Sequence, residues 1–357
     1  MKLGFGLYRH MLTPENYRFA RQSGATHLII HLVDYFGQQK KDQGSSNQPV
    51  GAGEGWGPAG DENKLWQLDE LLEIKKEINR HGLELAGIEN FDPAHWYDVL
   101  LDGPKRDKHL DNCKTIIRNL GEAGIPIFGY NFSIAGVAGR IKDKFARGEA
   151  ESVGMDGVSE VIKKPVPKGM VWNMVYDPGA METGVLPEIN HAELWRRLKG
   201  FLDEILPVAE ASGVVMAAHP DDPPLPYIRK QPRLVYQPHM YNDLIQLNPS
   251  SSNKLEFCLG TLSEMTEGDI YEVTDHFTKM NRVAYIHFRN VQGKVPYYRE
   301  TFIDDGDIDM KKIVDILKKN KYEGVLIPDH TPLMSCDAPW HAGMAFAMGY
   351  MKALMIS

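Results

Sequence analysis

Short apolar segments of about four to six residues alternate with helix-like segments along the whole chain. The helical segments repeat apolar positions every three or four residues, and the strand-like segments are rich in β-branched and aromatic side chains. Eight strands and eight helices in strict alternation indicate a parallel sheet with right-handed crossovers, and eight such units favour a closed barrel. The sequence therefore predicts an α/β fold of the (β/α)8 TIM barrel class, with residues 1–357 forming one domain.

Two long segments interrupt this rhythm. The predicted strands end near Leu32 and Asn131, and residues 35–61 and 135–190 then follow with many glycines, prolines and polar side chains but little periodicity. Both are too long for ordinary connections between a strand and a helix. They are predicted to be long loops after strands 2 and 4, and the first is either a lid or substrate loop, or a flexible insertion.

The last four predicted strands each end on a polar side chain that can bind a metal. The segments VVMAAH, LEFC, VAYIH and GVLIPD end on His219, Cys258, His287 and Asp329. One such residue at a strand end is more often a core residue than a ligand, but parallel barrel strands would bring all four ends to one face. Two imidazoles, a thiolate and a carboxylate suit Zn²⁺, Fe²⁺, Mn²⁺, Co²⁺ or Ni²⁺ better than Ca²⁺ or Mg²⁺.

Further polar residues are predicted at the same face. The first four strands end near Tyr8, His31, Glu89 and Asn131, which we expect to face the barrel mouth. His330 directly follows the Asp329 ligand and is a candidate general acid or base.

Arg289 lies two residues beyond the His287 ligand, on what would be the same side of the strand. Its guanidinium could pair with a substrate carboxylate, and the alternative is an ion pair with an acid such as Glu300.

Composition excludes several classes of function. A formal net charge of −8 and the absence of long basic clusters argue against a nucleic-acid partner. Three cysteines are too few for a disulfide framework and indicate a reducing compartment. No apolar run approaches the roughly 18 residues that cross a membrane, and the amino terminus does not resemble a signal peptide. The expected location is the cytoplasm, the expected partner is a small molecule, and assembly into a homo-oligomer stays open.

Three segments together resemble the mannonate dehydratase family. They are AAHPDDPP, LLDGPKRDKHLDNCKTIIRNLGEAGIPIFGYNF and FIDDGDIDM, and the similarity covers well over half of the chain. The resemblance implies a (β/α)8 barrel lyase that dehydrates D-mannonate or a related aldonic acid to a 2-keto-3-deoxy sugar acid. It also implies a divalent metal, most simply Mn²⁺ or Fe²⁺, on the four strand-end residues. His330 would transfer protons, and Arg289 and Asn131 would lie near the sugar acid.

The chain departs from the family pattern at several positions. Leu7-Tyr8-Arg9 stands where the family has Trp-Tyr-Gly, and the family's arginine after the fourth strand corresponds to Arg140. The family carries PDHGHQ followed by a catalytic tyrosine, whereas this chain reads PDHTPLM followed by Pro339-Trp340-His341. Tyr8 or His341 could then supply the second proton-transfer group.

Two other functions stay open at this point. A metal with paired acid and base groups can also move a proton between adjacent carbons, so a sugar isomerase or epimerase on the same barrel is the main alternative. A sugar-acid binding protein without catalysis is less favoured, because four metal ligands exceed what binding requires.

Overall fold

The computed structural model describes residues 1–36 and 55–357. Within these residues, eight parallel strands close into a barrel: β1 (Lys2–Leu7), β2 (His27–His31), β3 (Glu84–Glu89), β4 (Ile127–Tyr130), β5 (Val215–Ala218), β6 (Asn253–Cys258), β7 (Val283–His287) and β8 (Val325–Ile327). Each strand pairs in parallel with the next one along the chain, and β8 closes the barrel on β1. The predicted barrel is confirmed.

One long helix of the outer ring follows each strand. These helices are α1 (Pro14–Gln22), α2 (Leu68–Arg80), α3 (Arg106–Glu122), α4 (His191–Ser212), α5 (Met240–Leu247), α6 (Ile270–Lys279), α7 (Met310–Lys319) and α8 (Pro339–Ile356). Capping residues mark several of their ends. The Thr13 side chain accepts a hydrogen bond from the backbone of Asn16 at the start of α1, and Gly213 ends α4 with a φ of 67°.

Several short helices were not predicted. They are Arg9–Met11, Pro93–Leu101, Arg147–Glu149, Glu160–Lys163, Pro178–Met181 and Leu259–Glu264. Pro93–Leu101 is the longest of them, and eight of its nine residues are buried. A helix that is enclosed on all sides has no polar face, so its sequence lacks the amphipathic period by which helices are recognised.

The long segment after β4 is not the irregular loop that was expected. It contributes Ile141–Ala146 and Ala150–Asp156 to a four-stranded antiparallel sheet, whose other strands, Val291–Lys294 and Tyr297–Glu300, follow β7. Because the partner strands are distant in sequence and the first is largely charged and exposed, neither carried a local strand pattern. This sheet stands over the carboxyl ends of the barrel strands and brings Arg140 and Glu300 to them.

Smaller pieces complete the upper face. Gly57–Pro58, Met170–Val171 and Met174–Val175 form a three-stranded sheet, and Tyr227–Ile228 pairs with Gln231–Pro232. Of the predicted loop over residues 35–61, positions 37–54 lie outside the described residues. No helix among the described residues is long and apolar enough to cross a membrane.

The barrel interior contains a small cluster of strand residues that point the same way as the strand-end side chains. Ile29, Ala217 and Tyr285 belong to it, each two positions before a strand-end histidine. Gly129 on β4 leaves room for the Tyr285 hydroxyl, because a Cβ there would lie 2.1 Å from this oxygen. The small residue therefore allows polar groups to enter the interior beneath the mouth.

Candidate functional site

The barrel brings the predicted metal ligands to one place. His219 directly follows β5, Cys258 and His287 end β6 and β7, and Asp329 lies two residues beyond β8. One donor atom from each of His219, Cys258 and His287 lies within 4.8 Å of the others. Asp329 Oδ2 lies 3.5 Å from His287 Nδ1. Residues far apart in sequence thus meet because all four strands are parallel and end at the same face.

The surroundings of Cys258 favour the thiolate. Burial opposes ionisation, but the positive charge of Arg289 and the neighbouring imidazoles of His219 and His287 hold the pKa of Cys258 well below its ordinary value. The thiolate is the form that binds metals. This environment therefore provides a thiolate sulfur, a soft donor, among the predicted metal ligands.

The two histidines present different ring nitrogens to the cluster. The Nδ1–H group of His219 donates to the carbonyl oxygen of Pro220, which leaves Nε2 to face the cluster. Nε2 of His287 lies 2.9 Å from Glu256 Oε1 and 3.2 Å from Glu89 Oε2, so it carries the proton. The buried Nδ1 of His287 has no hydrogen-bond partner among the described residues. Such an orphaned nitrogen beside a thiolate and a carboxylate fits a divalent transition metal.

Charges around the imidazoles compete with the metal. Burial opposes protonation of His219, but Glu256 and Cys258 raise its pKa to about 9. For His287 the charges of Asp329, Glu256 and Glu89 likewise outweigh burial and raise the pKa well above its ordinary value. Without a metal these rings therefore hold protons, which a bound ion would displace.

Glu256 is the site residue that the sequence analysis missed. It is fully buried on β6, two residues before Cys258, and thus faces the same interior one layer lower. Burial and the charge of Glu89 raise the pKa of Glu256. The available signal was an acid between the apolar residues Leu255 and Phe257, two positions before a predicted ligand.

A second donor set shares one residue with the first. Glu89, Glu256 and His287 also place one donor atom each within 4.8 Å of one another. Burial opposes ionisation of Glu89, yet the charges of His31 and His287 lower its pKa to about 2. Because this set would use the Nε2 atom that already donates to carboxylates, the unpaired Nδ1 favours the set with Cys258.

A cavity opens above these groups at the carboxyl ends of the strands. Tyr8, His31, Glu89 and Asn131 line it, as expected from the strand ends. The rings of Tyr8 and His31 lie 4.8 Å apart, and the Asn131 amide donates to Asn90 Oδ1 at 3.2 Å. Burial, together with the charges of Asp329 and Glu89, raises the pKa of Tyr8. Its phenol therefore stays protonated and can donate a hydrogen bond into the cavity.

His330 lies in the same cavity between two acids. Its Nδ1 is 3.0 Å from Glu300 Oε1, and its Nε2 is 3.3 Å from Asp329 Oδ1. Burial opposes ionisation of Glu300, but His330, Arg289 and Arg140 lower its pKa. An ionised carboxylate at Nδ1 orients the imidazole and stabilises the imidazolium that forms when the ring accepts a proton, as in general base catalysis.

Arg289 is enclosed by acids and is not among the residues that line the cavity. Its guanidinium lies 2.9 Å from both Asp222 and Glu264, and Nε lies 3.1 Å from Asp329 Oδ2. The expectation of a substrate contact assumed strand alternation beyond His287, but β7 ends there. Two other arginines line the cavity, Arg140 and Arg233. Arg140 lies 2.7 Å from Asp222 Oδ2, whereas Arg233 pairs with Asp221 Oδ1 at 2.8 Å and donates to the Asp222 carbonyl.

His341 lies away from the cavity. Its Nε2 is 3.3 Å from Asn16 Oδ1, and its ring packs 4.7 Å from that of Phe19. Both partners belong to α1, so the first turn of α8 places His341 between outer helices. The expected proton-transfer role does not agree with this position, because sequence spacing does not reveal which side of a helix meets the barrel mouth.

Three aromatic residues form a further part of the cavity lining. Tyr35, Trp56 and Trp172 line it, and their ring centroids lie 5.3 to 5.9 Å apart. We call this group the aromatic wall. It was not predicted, because its members come from separate connections outside the barrel strands.

Comparison with known proteins gives consistent results. A family model described as D-mannonate dehydratase (UxuA) matches residues 56–356. A mannonate dehydratase of Streptococcus suis (strain 05ZYH33) is 33% identical over 281 residues, which cover 75% of this chain and 75% of that protein.

Solved structures show the same relationship. The crystal structure of mannonate dehydratase from Streptococcus suis serotype 2 is similar with a TM-score of 0.76 and 26% identity, covering 99% of this chain and 92% of that chain. The structure of the IOLI protein with a bound zinc atom has a TM-score of 0.58 and 12% identity, covering 99% and 98%. The second similarity concerns the fold alone.

Proposed function

This chain belongs to the D-mannonate dehydratase family, and we propose that it eliminates water from D-mannonate or a related aldonic acid to give a 2-keto-3-deoxy sugar acid. The family resemblance predicted from the sequence is confirmed. The observation that carries the proposal is the meeting of His219, Cys258 and His287 beside the pair formed by His330 and Glu300. These groups combine a metal centre with a proton-transfer group, which a hydro-lyase requires.

The cofactor in this proposal is a divalent transition metal, Mn²⁺ or Fe²⁺, held by His219, Cys258, His287 and Asp329. The ionised thiol and the orphaned Nδ1 atom of His287 support this donor set. When bound, such an ion stabilises the negative charge that accumulates on the substrate carboxylate and its neighbouring hydroxyl oxygen.

Elimination of water requires two proton transfers: a base removes the proton from C2, next to the carboxylate, and the C3 hydroxyl group receives a proton and leaves as water. The resulting enol then gains a proton at C3 and loses the proton of its C2 hydroxyl group to become the ketone. We assign removal of the C2 proton to His330, whose Nδ1 faces the Glu300 carboxylate. Glu300 then stabilises the imidazolium that forms.

Tyr8 is the proposed donor to the leaving hydroxyl group. It lines the cavity, and nearby negative charge keeps its phenol protonated. In the family pattern a tyrosine near the last helix has a catalytic role, and this chain lacks it there. A tyrosine at the end of β1 can fill the role because the strand ends surround one cavity.

Arg140 is the proposed partner of the substrate carboxylate. It lines the cavity, and its guanidinium is held by Asp222 at 2.7 Å and Glu300 at 3.6 Å. We assign Arg289 a positioning role, because it lies behind Asp222 and Asp329 and neutralises them. Asn131 is placed to bind a sugar hydroxyl group.

The test is direct product analysis. The purified protein, loaded with Mn²⁺ or Fe²⁺, is incubated with D-mannonate and other hexonates, and products are identified by NMR. We expect the wild-type protein to form a 2-keto-3-deoxy acid. The Cys258→Ser variant should contain less metal and be less active. An epimeric acid from a hexonate or a ketose from an aldose would instead support the isomerase alternative. Binding of hexonates without turnover by the metal-loaded protein would contradict the proposal.

Two further expectations belong to this proposal. The whole chain acts as one catalytic domain with two insertions, the protein works in the cytoplasm, and its assembly into a homo-oligomer stays open. The described structure contains three free cysteines, of which Cys258 is a proposed ligand, and this supports a reducing compartment. Light scattering on the purified protein measures the oligomeric state.

A further inference from the structure

The aromatic wall lines the same cavity as Arg140 and the proposed metal ligands His219, His287 and Asp329. Trp172 is partly exposed, whereas Trp56 and Tyr35 are only 9% and 3% exposed. Trp56 and Trp172 meet edge to face with their centroids 5.3 Å apart, and Tyr35 contacts both. The exposed part of Trp172 is therefore supported from behind by rings that are already in place.

Trp172 occupies an unusual position in the backbone. It forms, with Asn173, the two-residue turn between Met170–Val171 and Met174–Val175, and both residues have positive φ values of 48° and 60°. Turns of this kind strongly prefer Asn-Gly, because a side chain is sterically disfavoured at positive φ. A bulky indole at the first turn position is retained against this local preference, which suggests a role for the ring itself.

Contacts from neighbouring segments hold this turn in place. The Trp172 amide donates to the Ile134 carbonyl at 2.8 Å, and the Asn173 carbonyl accepts from the Trp56 amide at 2.6 Å. The Asn173 side-chain amide also donates to the Val137 carbonyl. The wall is thus fixed by backbone hydrogen bonds to two separate connections and does not depend on a bound substrate.

Tyr35 links the aromatic wall to the polar floor. Its hydroxyl group accepts a hydrogen bond from Asn90 at 3.1 Å and lies 3.3 Å from His31 Nδ1. The ring of Tyr35 faces the two indoles, while its hydroxyl belongs to the polar network at the strand ends. At Tyr35 the cavity lining therefore passes from the polar network of the strand ends to an aromatic surface.

We propose that the aromatic wall, through Trp172, binds the distal carbons of an open-chain sugar acid and thereby selects six-carbon over shorter acids. This inference rests on the proposed function, because it takes the carboxylate end to be held near Arg140 and the metal ligands. The C–H groups of a polyol chain carry weak positive charge and pack against the negative face of an indole. A four-carbon acid would fill the charged end without reaching the wall.

The experiment compares two substrates in matched variants. The substrates are D-mannonate and a four-carbon acid. The four-carbon acid is the enantiomer of erythronate that has the same configuration at C2 and C3 as D-mannonate. For Trp172→Ala we expect kcat/KM on D-mannonate to fall about tenfold, mainly through KM, because one stacked aromatic contact is lost. Activity on the four-carbon acid should change less than about twofold, since the contact is absent in that complex. Trp172→Phe keeps an aromatic face and should retain most of the preference for six carbons.

Controls separate this inference from loss of folding and from failure of the proposed function. Trp195→Ala removes a partly buried indole from α4, outside the cavity, and should leave the ratio of the two activities unchanged. Trp56→Leu is a second wall variant in case Trp172→Ala folds poorly by circular dichroism, and it should also lower the ratio. Wild-type turnover with an unchanged ratio in both wall variants would overturn the wall proposal alone. A wild-type protein that dehydrates no aldonic acid would overturn the proposed function, and this inference with it.

Discussion

The two sides of the cavity are built in different ways. One side consists of the ends of β5 to β8 and contains buried ionised groups, among them Cys258, His287 and Asp329. The other side is neutral and consists of Tyr35, Trp56 and Trp172, which come from connections between strands and helices. The reactive groups thus lie on the rigid barrel, and the groups proposed to select the substrate lie on insertions that can vary without changing the barrel.

The charged side also contributes to its own stability. Arg289 is 2% exposed and contacts Asp222, Glu264 and Asp329. Buried charges are tolerated only when they are paired, and loss of one partner leaves an uncompensated charge that costs about 3–5 kcal/mol. The aromatic side contains no buried charge that needs a partner. We therefore expect variants on this side to affect KM more than folding.

Metal removal is the largest perturbation of the charged side. Treatment with a chelator should reduce dehydratase activity to background, and Mn²⁺ or Fe²⁺ should restore it, because the proposed ion stabilises the developing negative charge. The barrel core is large enough to stand without the ion, so the melting temperature should fall by only a few degrees. Metal analysis and calorimetry measure both effects. An unfolded metal-free protein would show that the ion is structural.

His330→Gln should produce the next largest effect. Loss of a general base lowers kcat by about 10²–10⁴-fold, whereas metal content and KM should change little. The measurement combines steady-state kinetics with exchange of the C2 proton in D₂O. If this variant kept wild-type exchange, the base would have to be another residue.

Arg140 and Arg289 distinguish substrate binding from positioning. Arg140→Lys loses the planar fork and should lower kcat/KM on an aldonic acid about ten- to hundredfold through KM. Arg289→Met instead leaves several buried acids unpaired and should lower the free energy of unfolding by about 3–5 kcal/mol. Denaturant titration and kinetics on both variants measure the difference. If the Arg289→Met protein were stable and lost only substrate affinity, Arg289 would be the residue that binds the substrate carboxylate.

Glu256→Gln should have a smaller effect, on the metal rather than on the substrate. The carboxylate lies 2.9 Å from His287 Nε2 and orients that ring. Loss of such an outer contact typically lowers metal affinity about 10–100-fold, and we expect the lower end because Glu89 also contacts Nε2. Titration with Mn²⁺ checks this, with Glu267→Gln as an exposed control. Metal content that falls to zero would indicate that the ion binds at Glu89 and Glu256 instead.

Much of the architecture was readable from local pattern. Alternation of apolar strands and amphipathic helices predicted the barrel. The cluster of His219, Cys258 and His287 was also predicted, because parallel strands in a closed barrel end at one face. These features depend only on period, residue type and the general geometry of the fold.

Other features depend on contacts between distant segments. The Arg289 side chain points toward a group of acids because β7 ends at His287. His341 packs on α1 because of the orientation of α8 relative to the barrel. Glu300 reaches His330 only through an antiparallel sheet assembled from two insertions. No local pattern encodes such pairings.

The sequence by itself thus determined the barrel, the family and the ends of the ligand-bearing strands, because hydrophobic periodicity and strand direction are local properties. The tertiary structure alone decided which guanidinium groups line the cavity, which carboxylates orient His287 and His330, and which rings form the aromatic wall. The physical reason is that a side chain's direction beyond the last ladder hydrogen bond depends on the packing of segments that are remote in sequence.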